Sequence, residues 1–354
     1  MSDIGDRYIS FDNNGYCNYC NDALSKINTT VYFPTEEGSE RLEEMIAKVK
    51  KENKNKPYDC VMGISGGLDS AYLAYLGYTW GLRILAVHID DGFDTETSKN
   101  NIRKLCTAAK IDLRTIVPDP VQYYALTKAY MKAGVPNIAV PQDNILFAFL
   151  YDTVEKEKLK YFLAGGNFSL ECILQKDYVF NPMDTVNIRD INRRFGTDGL
   201  NNLKFINSYR KYINLKLGRV VTLYPLNLID YNKDRAIWEL ESFCGFEYYG
   251  GKHLENILTA FVQLYWFPKK FNVDKRRSHL SSMIISGQMT RDDALAKMAE
   301  PLYDENTMQE YINIIKDKLG ITDDEFDKII ADVSHEHEEY KTDKVSVWLR
   351  KIVH

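Results

Sequence analysis

Ser65-Gly66-Gly67-Leu68-Asp69-Ser70 packs two glycines, two hydroxyls and a carboxylate into six consecutive positions. The apolar run Tyr58 to Ile64 precedes it and the helix-forming stretch Ala71 to Gly77 follows, so the segment reads as a strand that breaks into a turn and opens a helix. That arrangement presents backbone N–H groups to a phosphate. Gly66 and Gly67 let the backbone approach phosphate oxygens without a Cβ in the way, and the hydroxyls of Ser65 and Ser70 can donate to them. The turn lacks the Gly-Lys-Ser/Thr ending of a Walker loop and is not Gly-x-Gly-x-x-Gly. A nucleotide is the expected ligand.

Other clusters carry chemistry of their own. His88-Ile89-Asp90-Asp91-Gly92 closes the apolar run Arg83 to Ile89, and Ala164-Gly165-Gly166-Asn167 closes the run Tyr161 to Ala164. Tyr248-Tyr249-Gly250-Gly251-Lys252-His253 joins a flexible turn to a cation and an acid/base group. Lys275, Arg276 and Arg277 could hold a carboxylate or a diphosphate, arginine by a bidentate fork; a solvated basic face is the other reading, and His279 beside Asp274 is open to both. Cys17 and Cys20 have the spacing of half a zinc site. Cys60, Cys106, Cys172 and Cys244 are scattered, as in a protein of a reducing compartment. His335-Glu336-His337-Glu338-Glu339 lacks zincin spacing and reads as a solvated helix end.

The elements that must position these residues follow from periodicity. Ser39 to Lys54 forms a first helix with Leu42, Met45, Ile46 and Val49 on one face. Strands at Tyr58 to Ile64, Arg83 to Ile89, Leu113 to Val117, Tyr161 to Ala164 and Arg219 to Leu223 alternate with helices over Thr97 to Ala109 and Asn144 to Lys156, with a long insert before the latter. Apolar runs between amphipathic helices predict an open, doubly wound parallel α/β sheet. All three strand-end segments then share its carboxyl edge, where ligands of such sheets bind. Beyond about Pro225 the pattern turns helical, with capping signals at Thr290/Asp293 and Thr322/Glu325 and helix-ending glycines at Gly287 and Gly320. The expected organisation is a cysteine-containing segment over 1–38, a nucleotide domain over 39–230 and a mainly helical region over 231–354.

At 354 residues the chain exceeds the ~250–300 at which single cores stop growing. Its net charge of −5 disfavours a nucleic-acid backbone as the main partner. No window reaches the ~20 apolar residues of a membrane span, and Met1 to Arg7 has no signal-peptide pattern. A cytoplasmic protein is expected.

The Ser65 turn resembles the Ser-Gly-Gly-x-Asp-Ser pyrophosphate loop of the ATP-pyrophosphatase (PP-loop) superfamily. The resemblance implies an adenine nucleotide alpha hydrolase-like fold, with ATP and Mg²⁺ as cofactors. It assigns Ser65, Gly66, Gly67, Asp69 and Ser70 to the phosphates, Asp69 also to Mg²⁺ or to holding the loop, and His88, Asp90, Gly165 and Asn167 to the rest of the nucleotide. Such enzymes make pyrophosphate the leaving group and transfer AMP to a carbonyl or carboxyl oxygen. A tRNA thiolase is a weaker match, since Val140-Pro141-Gln142-Asp143-Asn144 contains no cysteine; a nucleotide-binding protein without turnover is the remaining alternative.

Taken with the opening Ile9 to Cys20, the blocks Tyr248 to His253 and Asp274 to Ser282 make the chain similar to the N-acetyl sugar amidotransferase family over about residues 8 to 300. That resemblance implies conversion of the N-acetyl group of a bacterial surface sugar into an acetamidino group, in lipopolysaccharide O-antigen or related glycan biosynthesis. Ammonia would come from a separate glutaminase subunit, with a cyclase-like tunnel subunit as a further partner. On this reading Ser65, Asp69 and His253 are catalytic, and Lys252, His253, Lys275, Arg276 and Arg277 meet the acetamido sugar or nucleotide sugar. Family members often carry a further N-terminal cysteine pair, which Met1 to Ser10 lacks. Either Cys244 or a histidine such as His253 completes a zinc site with Cys17 and Cys20, or the turn is metal-free.

Overall fold

Short apolar, β-branched runs become the strands of one five-stranded parallel sheet, in the order β3-β2-β1-β4-β5. They are β1 (Cys60–Gly63), β2 (Ile84–Ile89), β3 (Asp112–Ile116), β4 (Tyr161–Leu163) and β5 (Val221–Leu223). The computed structural model describes residues 1, 3 and 6–344. Strand order reverses between β1 and β4, which opens the ligand crevice of a doubly wound sheet beside the end of β1.

Two N-terminal helices, α1 (Asn18–Leu24) and α2 (Glu36–Glu52), precede the sheet. Then come α3 (Leu68–Thr79), α4 (Glu96–Ala108), α5 (Pro120–Ala133), α6 (Val140–Lys156), α7 (Phe168–Glu171), α8 (Thr185–Phe195), α9 (Ser208–Lys216) and α10 (Lys233–Cys244). Alternation along each strand sorts the two faces. Cys60, Met62, Ala86 and Leu163 pack with Leu73 of α3, Leu105 of α4 and Leu240 of α10, whereas Val61, Leu85, Val87 and Phe162 pack with Ala148 and Tyr151 of α6. The expected doubly wound α/β sheet is what the chain forms.

The long insert expected before Asn144 is in fact helical. Asp119 accepts the Gln122 N–H, Pro120 opens α5, and Gly134 ends it at φ 65°. Its periodicity is hidden because α5 is buried on several sides, through Tyr123, Leu126, Ala129, Tyr130 and Met131. Burial all round leaves no polar stripe to read. The next helix, α6, likewise starts at Val140, ahead of the expected Asn144.

The remaining helices are α11 (Ile257–Phe261), continued by a π-helical stretch Val262–Trp266 into α12 (Phe267–Phe271), then α13 (Arg276–Ile285), α14 (Arg291–Ala299), α15 (Glu305–Leu319) and α16 (Asp323–Ala331). They do not form a core of their own. Phe261, Trp266, Ile312, Ile315 and Phe326 share one cluster with Tyr130 and Met131 of α5 and Ile188 and Ile191 of α8. Trp266, fully buried, donates its Nε1–H to the Val135 carbonyl at 3.0 Å. α10 belongs instead to the sheet layer. The 230/231 boundary thus crosses two shared cores. The capping box at Thr290/Asp293 forms in full, Thr322 accepts the Glu325 N–H, and Gly287 and Gly320 adopt φ 75° and 59°.

One expectation holds only in part. Glu338 and Glu339 are exposed and His335 pairs with Glu339 at 2.8 Å, but His337 is 3% exposed, stacks on Phe180 at 4.0 Å, and meets the Asn187 side chain through Nδ1 at 3.1 Å. Burial pulls the His337 imidazole down to about 3. Below its ordinary value near 6.5 the unfolded chain binds a proton that the native site refuses, so stability should fall as pH drops from about 6.5 toward 3, by up to ~1.4 kcal/mol per pH unit. Urea unfolding across pH 7 to 4 should show this slope, and His337→Gln should flatten it; equal slopes in both proteins would refute the assignment.

Candidate functional site

The Ser65 turn follows β1, and its glycines are required by protein contacts. Gly66 sits at φ 77°, and a Cβ there would lie 2.5 Å from the Ser98 carbonyl oxygen of α4. A Cβ on Gly67 would lie 2.5 Å from Glu255 Oε1. Protein contacts thus add a second demand on both glycines: α4 presses on Gly66 and the Glu255 side chain on Gly67, which also borders the smaller cavity. The Ser65 hydroxyl donates to Glu255 at 3.3 Å and accepts the Gly67 N–H at 3.2 Å. Ser70 Oγ accepts the Ser65 N–H at 3.3 Å. Tyr249 OH accepts the Leu68 N–H at 2.8 Å. The open end of α3 above this turn is suited to an anion.

Beside the turn lies a compact ion cluster. Lys252 Nζ is 2.7 Å from Asp69 and 3.1 Å from Glu171, and Tyr231 OH donates to the other Asp69 oxygen at 2.5 Å. His253 faces Glu171 at 3.4 Å and Glu255 at 3.9 Å. Burial works against its charge, yet the two carboxylates prevail and push its imidazole up to about 9. The same cations hold Glu171 well below the usual carboxylate range despite burial. The 250–256 loop reaches this position with Gly250 at φ 89° and His253 itself at φ 61°. A non-glycine residue there costs ~1–2 kcal/mol, which the ion pairs must offset. Glu255 Oε2 is buried without a partner.

Two cavities, of about 470 and 690 Å³, meet at this cluster. Both are bordered by Ser65, Ser70, Gly165, Glu171, His253 and Glu255. The larger runs along the sheet edge past His88, Thr222 and Tyr224; the smaller is lined by Lys233, Tyr248 and Lys252. Lys275 and His279 border both, and burial lowers the ammonium pKa of Lys275 and of Lys233.

The sequence-expected residues divide accordingly. Ser65, Gly67, Asp69, Ser70, His88, Gly165, Lys252, His253 and Lys275 line one or both cavities. Gly66 faces α4. His88 is buried between the Ile64 carbonyl at 2.9 Å and Asp94 at 3.1 Å. Burial opposes its charge, and Asp94 outweighs it to raise the imidazole. Asp90 does not reach either cavity, because its carboxylate accepts the Gly92 N–H at 3.0 Å. Its neighbour Asp91 does, buried under bonds from Tyr123, Gln142, Asn256 and the Phe93 N–H. Asn167 is spent as the N-cap of α7, accepting the Leu170 N–H at 2.9 Å. Arg276 borders the smaller cavity but is committed to Asp274 at 2.8 Å and the Glu300 carbonyl at 3.0 Å, and Arg277 borders neither. Glu171, Glu255, Tyr231 and Lys233 were not singled out from sequence, since isolated residues of these types carry no signal; only the place of Glu255 two residues after His253 hints at it.

Cys17 and Cys20 lie with their sulfurs 3.1 Å apart at the start of α1. No group of three or more metal-ligating side chains exists among the described residues. His253 is engaged by Glu171, and the Cys244 thiol donates to the Leu240 carbonyl at 3.3 Å. The residues present do not fit a zinc site. Among the described residues, no helix is long and apolar enough to cross a membrane.

Residues 255–353 match the family described as LPS biosynthesis protein WbpG-like, C-terminal domain. That domain begins at Glu255, the residue that touches Ser65, so it supplies one wall of the nucleotide-loop cavity. No curated protein matches the sequence. Among solved structures, NMN synthetase from Francisella tularensis is 14% identical, covering 80% of this chain and 95% of that one at a TM-score of 0.39. An NH3-dependent NAD synthetase from Campylobacter jejuni, in complex with nitrate, is 14% identical over 79% and 94% at 0.33. The U34-tRNA thiolase NcsA from Methanococcus maripaludis, with its [4Fe-4S] cluster, is 14% identical over 78% and 80% at 0.35.

Lys252 binds the cluster together, so its removal should leave half-buried Asp69 without a cation and Glu171 with His253 alone. Lys252→Met should lose ~3–5 kcal/mol in urea unfolding, and adding Glu171→Gln should restore part of that loss; additive losses in the double variant would show that the pair does not interact.

Proposed function

We propose that the protein is an ATP-dependent amidotransferase that adenylylates the N-acetyl oxygen of a bacterial surface sugar and replaces AMP with ammonia, forming an acetamidino group. The observation that carries this reading is the contact between Glu255, where the lipopolysaccharide-biosynthesis domain begins, and Ser65 of the phosphate turn. A domain of that family and a nucleotide-type loop thus line one site. Among the described residues no cysteine lines either cavity, which favours nitrogen over sulfur as the group transferred.

On this reading ATP lies along the sheet edge, its adenosine in the larger cavity and its β,γ-phosphates at the start of α3, beyond the engaged Leu68 N–H, and on Lys252. The acetamido oxygen attacks the α-phosphorus and pyrophosphate leaves. The cations around the loop offset the charge that develops. Mg²⁺ arriving with ATP would find the unpartnered buried oxygen of Glu255 beside Ser65, and it supplies further charge neutralisation. Both Asp69 oxygens are engaged by Tyr231 and Lys252, so Asp69 positions Lys252. The smaller cavity, bordered by Lys233 and Lys275, takes the sugar or nucleotide sugar. Ammonia is supplied in the cytoplasm by a separate glutaminase subunit, with a cyclase-like tunnel subunit as a further partner.

Incubation with ATP, Mg²⁺, ammonium and a panel of acetamido sugars should release AMP and pyrophosphate in a sugar-dependent way. Ser65→Ala should lower that rate by ~10²–10³ and shift Tm little, whereas Asp69→Asn should also lower Tm because it breaks the Lys252 pair. No sugar-dependent AMP across a broad panel would overturn the reading.

A further inference from the structure

His279 lies on α13 at the junction of the two cavities and takes no part in the chemistry described so far. Neither ring nitrogen has a hydrogen-bond or ion-pair partner among the described residues. The ring stands edge-on to that of His253, with centroids 6.0 Å apart. Its surroundings are unusual for an imidazole. Lys275 faces it from its own helix, Lys252 and His253 from the 250–256 loop, and only Glu171 of α7 brings opposite charge. Burial, followed by those three cations, holds the ring neutral. A neutral imidazole offers a free lone pair, whereas Asp69 and Glu171 are paired with Lys252, and Glu255 is held through Oε1 by Ser65 and His253, with its unpartnered Oε2 the oxygen left for Mg²⁺. Asp143 is also unpaired, but it borders only the sheet-side cavity.

Building on the amidotransferase reading, we propose that His279 is the base that accepts the proton of the incoming nitrogen. The nitrogen lone pair forms the new C–N bond at the adenylylated carbon. One N–H proton moves to the free ring nitrogen of His279, and the C–O bond to AMP breaks with its electron pair leaving on the phosphate oxygen. The imidazolium so formed stands beside newly released AMP and pyrophosphate, whose negative charge offsets the cations that kept the ring neutral beforehand. The same cations stop the ring from being protonated before ATP arrives, so the lone pair is present when the nitrogen enters. His279 then returns its proton to solvent as the products leave.

The test separates the two half-reactions. Sugar-dependent exchange of labelled pyrophosphate into ATP reports adenylylation alone; ammonium-dependent AMP release reports the whole sequence. His279→Ala should keep the exchange within about threefold and lose ~10²–10⁴ of the ammonium-dependent rate, the range for a positioned base. Added imidazole should restore part of that rate, which a purely structural ring would not allow. Asp143→Asn tests the other unpaired acid/base group and should show no loss confined to the nitrogen step. The proposal is overturned if His279→Ala amidates at the wild-type rate, if it loses exchange and amidation equally without imidazole rescue, or if Asp143→Asn alone abolishes the nitrogen step. Absence of exchange in the wild-type protein would instead remove the amidotransferase reading on which the proposal stands.

Discussion

The site depends on one half-buried cation. Lys252 draws together Asp69 from the phosphate turn and Glu171 from the helix after β4, each on a separate stretch of chain. With one ammonium between two carboxylates and His253 adding a second cation, the charges nearly balance away from water. The strained backbone at His253 is affordable only because this network holds the ring in place.

A second buried carboxylate does a different job. Asp91 collects hydrogen bonds from the Phe93 N–H, Tyr123 of α5, Gln142 of α6 and Asn256 just before α11. Its carboxyl is raised to about 6, chiefly by burial, and its hydrogen bonds leave it nothing to offer a reaction. It welds the end of β2 to the helices of the C-terminal core, which is why the WbpG-like region cannot be treated as an appendage. The Trp266 bond to the Val135 carbonyl ties the same two parts from the other side. The N-terminal cysteine segment joins this framework by packing Cys17, Tyr19 and Ala23 on Phe168 and Ile173, at either end of the short helix that presents Glu171.

The strands, most helix caps and the phosphate turn were legible in the sequence because each leaves a local signature. An apolar run of fixed length, a Ser-Gly-Gly-x-Asp-Ser turn and a Thr-x-x-Asp box are short patterns set by backbone geometry. Three features were misread for one reason: burial on all sides erases periodicity and alters the role of polar groups. That hid α5, disguised His337 as a surface residue, and made Asp90 look like the ligand-facing carboxylate when its neighbour Asp91 faces the cavity. Asn167 and Arg276 were read as ligand contacts but are consumed by a cap and by Asp274.

What the sequence determined by itself is a parallel α/β sheet with a nucleotide-type turn at the end of its first strand, since strand period and glycine placement are properties of a few consecutive residues. Tertiary structure decided everything that depends on residues far apart meeting at one point. It paired Asp69 with Lys252 across an interval of 183 residues and set Glu255 against Ser65 across 190. It also left the His279 ring free among three cations. Charge balance in a buried site is a sum over neighbours in space, and no local pattern encodes it.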